Sequence, residues 1–405
     1  MNPANKGRSP FYPGQPVPVQ LFVGREAQID RVRRAGSQVA AGKPQAVFIA
    51  GEYGIGKSSL AHYLHALLDI EQSLYGLHVL LGGAKTLADL AAKTVEAAIL
   101  SKPRKQSALG LVRNVLADYV GEQELLGVKI RLDKLRADSA DISRGYLPFL
   151  RQIHQSILKD SYKGLILILD EINGIASNPD FSQFIKTLVD SNALSSDVGS
   201  EPLPLLLILC GVEARRKAMI QTHQPVERIF DVVAVDPMSP SESASFFEKA
   251  FKEIGMSVEP GALSTLVRFT GGLPKLMHLV GDAAFWTAKG ERLTESEATT
   301  AVLDAADDIG RRYLDQQVIG ALQSTDYRGI LKKLGKMTLS LSFKKNDLDK
   351  LLTPTESKKL GNFLRRMKDL NVIRGTQYGE YTFNDWLTRI YIMMKASPPN
   401  HAPSG

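Results

Sequence analysis

Gly51-Glu52-Tyr53-Gly54-Ile55-Gly56-Lys57-Ser58 has the spacing G-x-x-x-x-G-K-[ST], and its reading decides the fold. A loop of this kind curls its backbone N–H groups around phosphate oxygens. Glycines are therefore needed where a Cβ would collide or where φ must be positive. Lys57 can reach the β- and γ-phosphates, and the Ser58 hydroxyl can ligate Mg²⁺. The flanks agree. Ala46-Val47-Phe48-Ile49-Ala50 reads as a buried strand, and Ser59 to Leu68 reads as a helix. The helix aims its N-terminal amides, from Ser58 and Ser59 onward, at the phosphates. The expectation is an α/β protein that binds ATP with Mg²⁺.

Further along, Leu165-Ile166-Leu167-Ile168-Leu169-Asp170-Glu171 is a continuous apolar run ending in two acids. A strand buried on both faces of a parallel sheet has this composition. Ligands of such sheets gather at the carboxyl ends of the strands. Asp170 is therefore the expected second Mg²⁺ residue. Glu171 is the candidate to polarise the attacking water, which favours hydrolysis over phosphate transfer to a small molecule. Leu205 to Gly211 reads as the next buried strand. At its end Cys210 and Gly211 are weak hydrogen-bonding groups, with Glu213 as the nearby polar alternative.

Leu21-Phe22-Val23-Gly24-Arg25-Glu26, the two motifs above and Thr270-Gly271-Gly272-Leu273-Pro274-Lys275 occur in an order that resembles the AAA+ superfamily. The nearest branches are the origin-recognition/Cdc6-like, TnsC-like (transposition-regulator) and STAND-related ones. The resemblance covers about residues 20–290. It implies that Phe22, Val23 and Gly24 pack beside the adenine, while Arg25 and Glu26 fix that box to the core. It implies a helical lid beginning at Pro274, with Lys275 at a second phosphate-sensing position. It also implies a homo-oligomer whose site is completed by an arginine from a neighbour. Arg228 stands at the matching place, with Arg215 and Arg216 as rivals. Arginine suits the role because its charge is permanent and its fork fits phosphate oxygens.

The 405 residues suffice for two or three domains, with 44% apolar content and a single cysteine, Cys210. No intrachain disulfide can form, and a reducing cytoplasm is the expected compartment. His62 and His65 share a helix face without further partners in the sequence and read as structural; no Cys/His spacing indicates zinc. No apolar run approaches the roughly 20 residues of a membrane helix. Met1 to Arg8 lacks an apolar signal core.

The net charge of +7 is unevenly placed: residues 311–397 hold 17 Lys/Arg against 8 Asp/Glu, which leaves −2 for the rest. A basic C-terminal module on a near-neutral core points to an acidic partner, with DNA first and protein second.

The expected organisation is an extended Pro-rich arm over 1–20, a P-loop parallel-sheet ATPase core over 21–236, a helical lid over 237–305 and a winged helix over 311–396. The arm carries Pro10, Pro13, Pro16 and Pro18 and no core of its own, and it can lie near the adenine. Helices are expected at Leu87–Leu100 and Leu147–Leu158, with a small hairpin near 127–132. Ser239-Pro240-Ser241-Glu242 opens the lid with a capping box. In the last module Thr355–Leu370 is the candidate recognition helix, with Lys358, Lys359, Arg365, Arg366 and Lys368 as candidate DNA contacts. Residues 371–374 and 380–383 flank a hairpin wing.

Two functions fit. The first is an oligomerising AAA+ ATPase switch acting on DNA in replication, transposition or mobile-element conflict. The second is a STAND-like signalling ATPase whose winged helix docks protein.

Overall fold

The computed structural model describes residues 7–15, 22–101, 104–120, 139–194, 201–320, 322 and 324–396. The expected hairpin near 127–132 and the arm residues 1–6 and 16–20 lie outside them. The chain forms two compact units. One is Pro16–Asp236; the other combines Met1–Gln15 with Pro237–Gly405.

The first unit is an α/β fold around five parallel strands: β1 (Gln45–Ala50), β2 (Leu74–Leu80), β3 (Gly164–Asp170), β4 (Leu205–Gly211) and β5 (Asp231–Ala234), in the order β2-β3-β4-β1-β5. β3 and β4 are buried at every position, as their unbroken apolar runs require. The β1–β4 neighbourhood is where the connection reverses direction across the sheet, and ligands of such sheets bind at that crevice. The phosphate loop leaves β1 there: Gly51 N–H donates to the Gly211 carbonyl at 3.3 Å.

Between β2 and β3 run the helices Leu87–Leu100, Gln106–Val120 and Ser139–Ile157. Thr86 and Asp89 close a capping box at the start of the first. The third begins eight residues before the expected Leu147. Pro148 does not break it, even though proline removes a helical donor.

The second unit is mostly helical. Ser239 and Glu242 form the expected reciprocal cap on Pro240–Glu253. Pro260–Thr270 and Pro274–Thr287 follow, and a two-residue parallel pair joins Ser257–Val258 to Arg292–Leu293. Gly272 is held at φ 69°, and a Cβ there would overlap Met238, whose N–H donates to the Gly272 carbonyl at 2.8 Å. Glu295–Ile309 continues without interruption into the π-helical segment Gly310–Ile319. The expected boundary between a lid and a terminal module falls inside that continuous helical stretch.

Beyond it, Thr325–Lys336, Lys345–Asp349, Pro354–Asp369 and Trp386–Ala396 are helical. An antiparallel sheet sets Glu380–Phe383 between Ser342–Lys344 and Ile373–Gln377. Gly379 turns the hairpin at φ 76°, leaving Tyr378 fully exposed. Leu360, Phe363, Leu364 and Met367 bury one face of Pro354–Asp369.

The described part of the arm has no core of its own and borrows one from the helices of the second unit. Phe11 is 4% exposed and packs on Phe246, Phe247, Phe251 and His278. Gly281 makes room, because a Cβ there would enter the Phe11 ring. Tyr12 N–H donates to His278 Nδ1 at 3.2 Å. Residues 7–15 thus belong to the helical unit. Among the described residues, no helix is long and apolar enough to cross a membrane.

Candidate nucleotide site

The loop Gly51–Gly56 has the backbone that its glycines allow. Gly54 and Gly56 sit at φ 75° and 91°, where a side chain would be strained. A Cβ on Gly51 would stand 2.6 Å from the Val235 carbonyl oxygen. Ile55 is buried and anchors the loop, while Glu52, Tyr53 and Gly54 are exposed. The helix Lys57–Gln72 starts at Gly56 with no side-chain cap. Its first N–H groups therefore lack a side-chain acceptor and face the loop, which suits an anion.

Lys57 Nζ donates to the carbonyls of Gly51 at 3.0 Å and Glu52 at 2.8 Å. Burial lowers its pKa, partly offset by Cys210, Asp170, Glu52 and Glu171. Lys57 thus lies in the field of Asp170 and Glu171, at the end of β3. Ser58 and Ser59 are half-buried on the first turn.

Asp170 is 1% exposed at the last position of β3. Its Oδ1 accepts from Glu171 N–H at 2.9 Å, and its Oδ2 accepts from His78 Nε2 at 3.1 Å. Glu171 is exposed, at φ 56°. That left-handed conformation is uncommon for a residue with a side chain and costs on the order of 1–3 kcal/mol. Its carboxylate lies over Gly82, where a Cβ would stand 2.5 Å from Oε2.

At the end of β4, the Cys210 thiol is fully buried and burial raises its pKa. Glu213 is engaged by Arg216 at 2.7 Å, which pulls the Glu213 pKa down. Glu213 and Arg216 thus engage each other on the first turn of the helix Glu213–Thr222. Arg215 donates to Ser177 Oγ at 3.1 Å. Arg228, at the end of the short helix Gln224–Arg228, is exposed. Among the described residues, no hydrogen bond or ion pair holds it.

Phe22 stacks on Tyr63 with ring centroids 4.7 Å apart and planes at 17°. Tyr63 belongs to the helix after the phosphate loop, so the stack joins the Val23-Gly24 box to that helix. Gly24 turns the chain at φ 76°. Arg25 is 6% exposed and donates to the carbonyls of Ile55, at 3.3 Å, and Asp236.

Three features were missed in the sequence. Tyr63 is one; its signal was an aromatic six residues after Lys57. The bridge from Arg25 to the phosphate loop itself is another. The third is a cluster that overturns the reading of His62 and His65 as partnerless. His78 of β2 joins them, with ligand-capable nitrogens all within 4.8 Å of one another. The signal was a histidine on the strand that directly follows their helix.

The remaining candidates lie in the other unit. Pro274 opens Pro274–Thr287, and the next residue, Lys275, is exposed. Lys275 lies in the field of buried Asp385. Lys358, Lys359, Arg365, Arg366 and Lys368 are all exposed on Pro354–Asp369. Lys359 is paired with Asp326 at 2.5 Å, and Arg365 donates to Asn362 at 2.9 Å.

Residues 21–208 match the family described as AAA ATPase domain. That stretch is similar to an AAA ATPase domain. The chain's fold is also that of solved structures along nearly the whole length. The ORC2 protein of Aeropyrum pernix, in ADPNP–ADP complexes, is 15% identical with a TM-score of 0.57, covering 95% of each chain. The Walker-type ATPase paby2304 of Pyrococcus abyssi is 14% identical with a TM-score of 0.54, covering 92% of this chain and 96% of its own. No curated protein matches the sequence. The match of residues 21–208 supports nucleotide binding and ATP hydrolysis.

Proposed function

We propose that the chain is an ATP-driven assembly switch that acts on DNA through its C-terminal helix Pro354–Asp369. Nucleotide seats on the amides of Gly51–Ser59, with the Phe22–Tyr63 stack, Val23 and Gly24 at the base side. Ser58 and Asp170 hold Mg²⁺, which supplies charge neutralisation at the phosphates. Lys57 leaves the Gly51 and Glu52 carbonyls to meet phosphate oxygens. Glu171 positions and deprotonates the attacking water. Arg228 completes the site of a neighbouring copy. A trans-acting arginine meets charge only in an assembled pair, so turnover and assembly are coupled.

The observation that carries the DNA reading is the exposed half of Pro354–Asp369. Five cations occupy it, the opposite stripe is buried, and a hairpin with a fully exposed Tyr378 stands beside it. The features support a reading of this part as a winged helix, a type whose recognition helix enters the major groove. At its centre Lys358 and Arg365 lie one heptad apart on the same face.

The test is DNA affinity against salt for the folded variant with Lys358, Lys359, Arg365 and Arg366 all changed to Gln. Each lost phosphate contact flattens the log–log slope by about 0.9. Lys359 is engaged by Asp326, so two or three contacts and a slope change of about 2–3 are expected. An unchanged affinity and slope would move the function to the signalling reading, in which this surface docks protein.

A further inference from the structure

We propose that His62, His65 and His78 form a binding site for a divalent transition ion of the zinc class, wired to Asp170. Three observations point there. The ligand-capable nitrogens of the three rings lie within 4.8 Å of one another. Around a tetrahedral zinc with Zn–N of about 2.0–2.1 Å, two nitrogens stand about 3.4 Å apart. Small side-chain rotations close that difference, and His62 is exposed and free to make them.

The local fold builds the triad. His62 and His65 are three residues apart on Lys57–Gln72, so they share a face. His78 and Gly76 are two apart on β2, so they share the other face of the same contact. Gly76 is the enabling residue: a Cβ there would occupy the space of the His65 ring. His65 is thereby packed deeply enough that burial pushes its pKa down to about 4.

The second shell is in place as well. Metal-ligating histidines almost always donate their other N–H to a carboxylate or a backbone carbonyl, which fixes the ring and raises its basicity. His78 donates to the Asp170 carboxylate at 3.1 Å. The Gly76 backbone hydrogen-bonds His65. Imidazole ligands suit zinc, copper, nickel and iron, while magnesium selects oxygen. Three imidazoles and no thiolate leave a fourth position for water. The site is thus chemically distinct from the Mg²⁺ position at Ser58 and Asp170.

The bound ion would fix the ring of His78 and with it the Asp170 carboxylate. Occupancy would therefore set how that carboxylate is oriented toward the nucleotide. This coupling rests on the proposed role of Asp170; metal binding itself does not.

The test uses the untagged full-length chain without nucleotide or Mg²⁺, titrated with Co²⁺ as a spectroscopic stand-in for zinc. The expected result is one Co²⁺ per chain with the intense visible bands of a tetrahedral site, displaced by Zn²⁺. His62→Ala alters an exposed residue and is expected to fold. It should lose at least about 100-fold in affinity, more than the 10–100-fold typical of a second-shell change. Asp170→Asn should bind Co²⁺ about 10–100-fold more weakly. Co²⁺ that binds wild type no more tightly than His62→Ala, or that shows only a weak octahedral spectrum, would overturn the site. Because the readout is a spectrum and a stoichiometry, a failure of the ATPase mechanism leaves it intact. Should Co²⁺ bind as expected while Zn²⁺ leaves ATP turnover unchanged, the site stands and the coupling falls.

Discussion

Arg25 joins the Val23-Gly24 box to the phosphate loop: its guanidinium donates to the Ile55 carbonyl at 3.3 Å and also to the Asp236 carbonyl. Arg25 is itself at φ 70° and almost wholly buried. One carbonyl of the loop and one beyond β5 are thus satisfied by one permanent cation.

Arg25→Ala leaves the buried Ile55 carbonyl and the half-buried Asp236 carbonyl without this donor. Charge-assisted hydrogen bonds contribute about 1.5–3 kcal/mol each. A loss of about 3 kcal/mol should lower Tm by roughly 6–12 °C for a unit of this size. Nucleotide affinity should fall as well, because the loop loses its brace. Arg25→Lys should rescue only part, since one ammonium lacks the fork that spans both oxygens. Melting curves and nucleotide titrations of the two variants decide it. An Arg25→Ala chain as stable as wild type would remove the brace from the account.

His278 gives the arm a pH dependence. Burial holds its folded-state pKa at about 4, and Tyr12 N–H donates to its Nδ1. In the unfolded chain the value is near 6.5. The unfolded state therefore takes up the extra proton between these values, and stability falls as pH drops from 6.5 towards 4. The contribution is fully present above 6.5 and amounts to at most about 3 kcal/mol. His278→Gln keeps an acceptor but does not titrate. Its melting temperature should depend less on pH over this window than that of wild type. Parallel pH profiles would contradict the assignment.

What could be read in advance followed from strict local rules. The phosphate loop is legible because backbone geometry dictates its glycines and its Lys57. The strands β3 and β4 are legible because burial on both faces leaves no room for polar residues. The cap at Ser239 follows from donors that every helix start leaves open. What could not be read depended on pairing across the fold. Nothing in the pattern of β2 says that His78 meets His62 and His65, because that follows from which helix covers which face. Phe11 is one aromatic in a Pro-rich segment. Its place emerges only from the three phenylalanines of Pro240–Glu253 and the gap at Gly281. The occupation of Arg216 by Glu213 and of Lys359 by Asp326 is likewise a matter of geometry.

Arg228→Ala should leave nucleotide binding by a single chain intact while weakening ATP-dependent assembly and hydrolysis. Mixing it with Glu171→Gln sharpens the test, because some mixed interfaces then hold both intact halves. Partial recovery of turnover in the mixture is the expected result. No recovery, with Arg215→Ala inactive instead, would place the finger on the earlier helix.

Lys57→Ala removes the one cation of the phosphate loop, which now rests on the Gly51 and Glu52 carbonyls. ATP binding should fall below detection in a titration that gives clear binding for wild type. Equal affinity would mean that the nucleotide sits elsewhere.

The most direct test of the whole account is the turnover of Glu171→Gln. The substitution keeps the shape of the side chain and leaves Asp170 in place, but removes the base that acts on water. The account predicts ATP binding close to wild type, hydrolysis slower by at least about 100-fold, and an assembly that persists in ATP. Hydrolysis at the wild-type rate in this variant would contradict it.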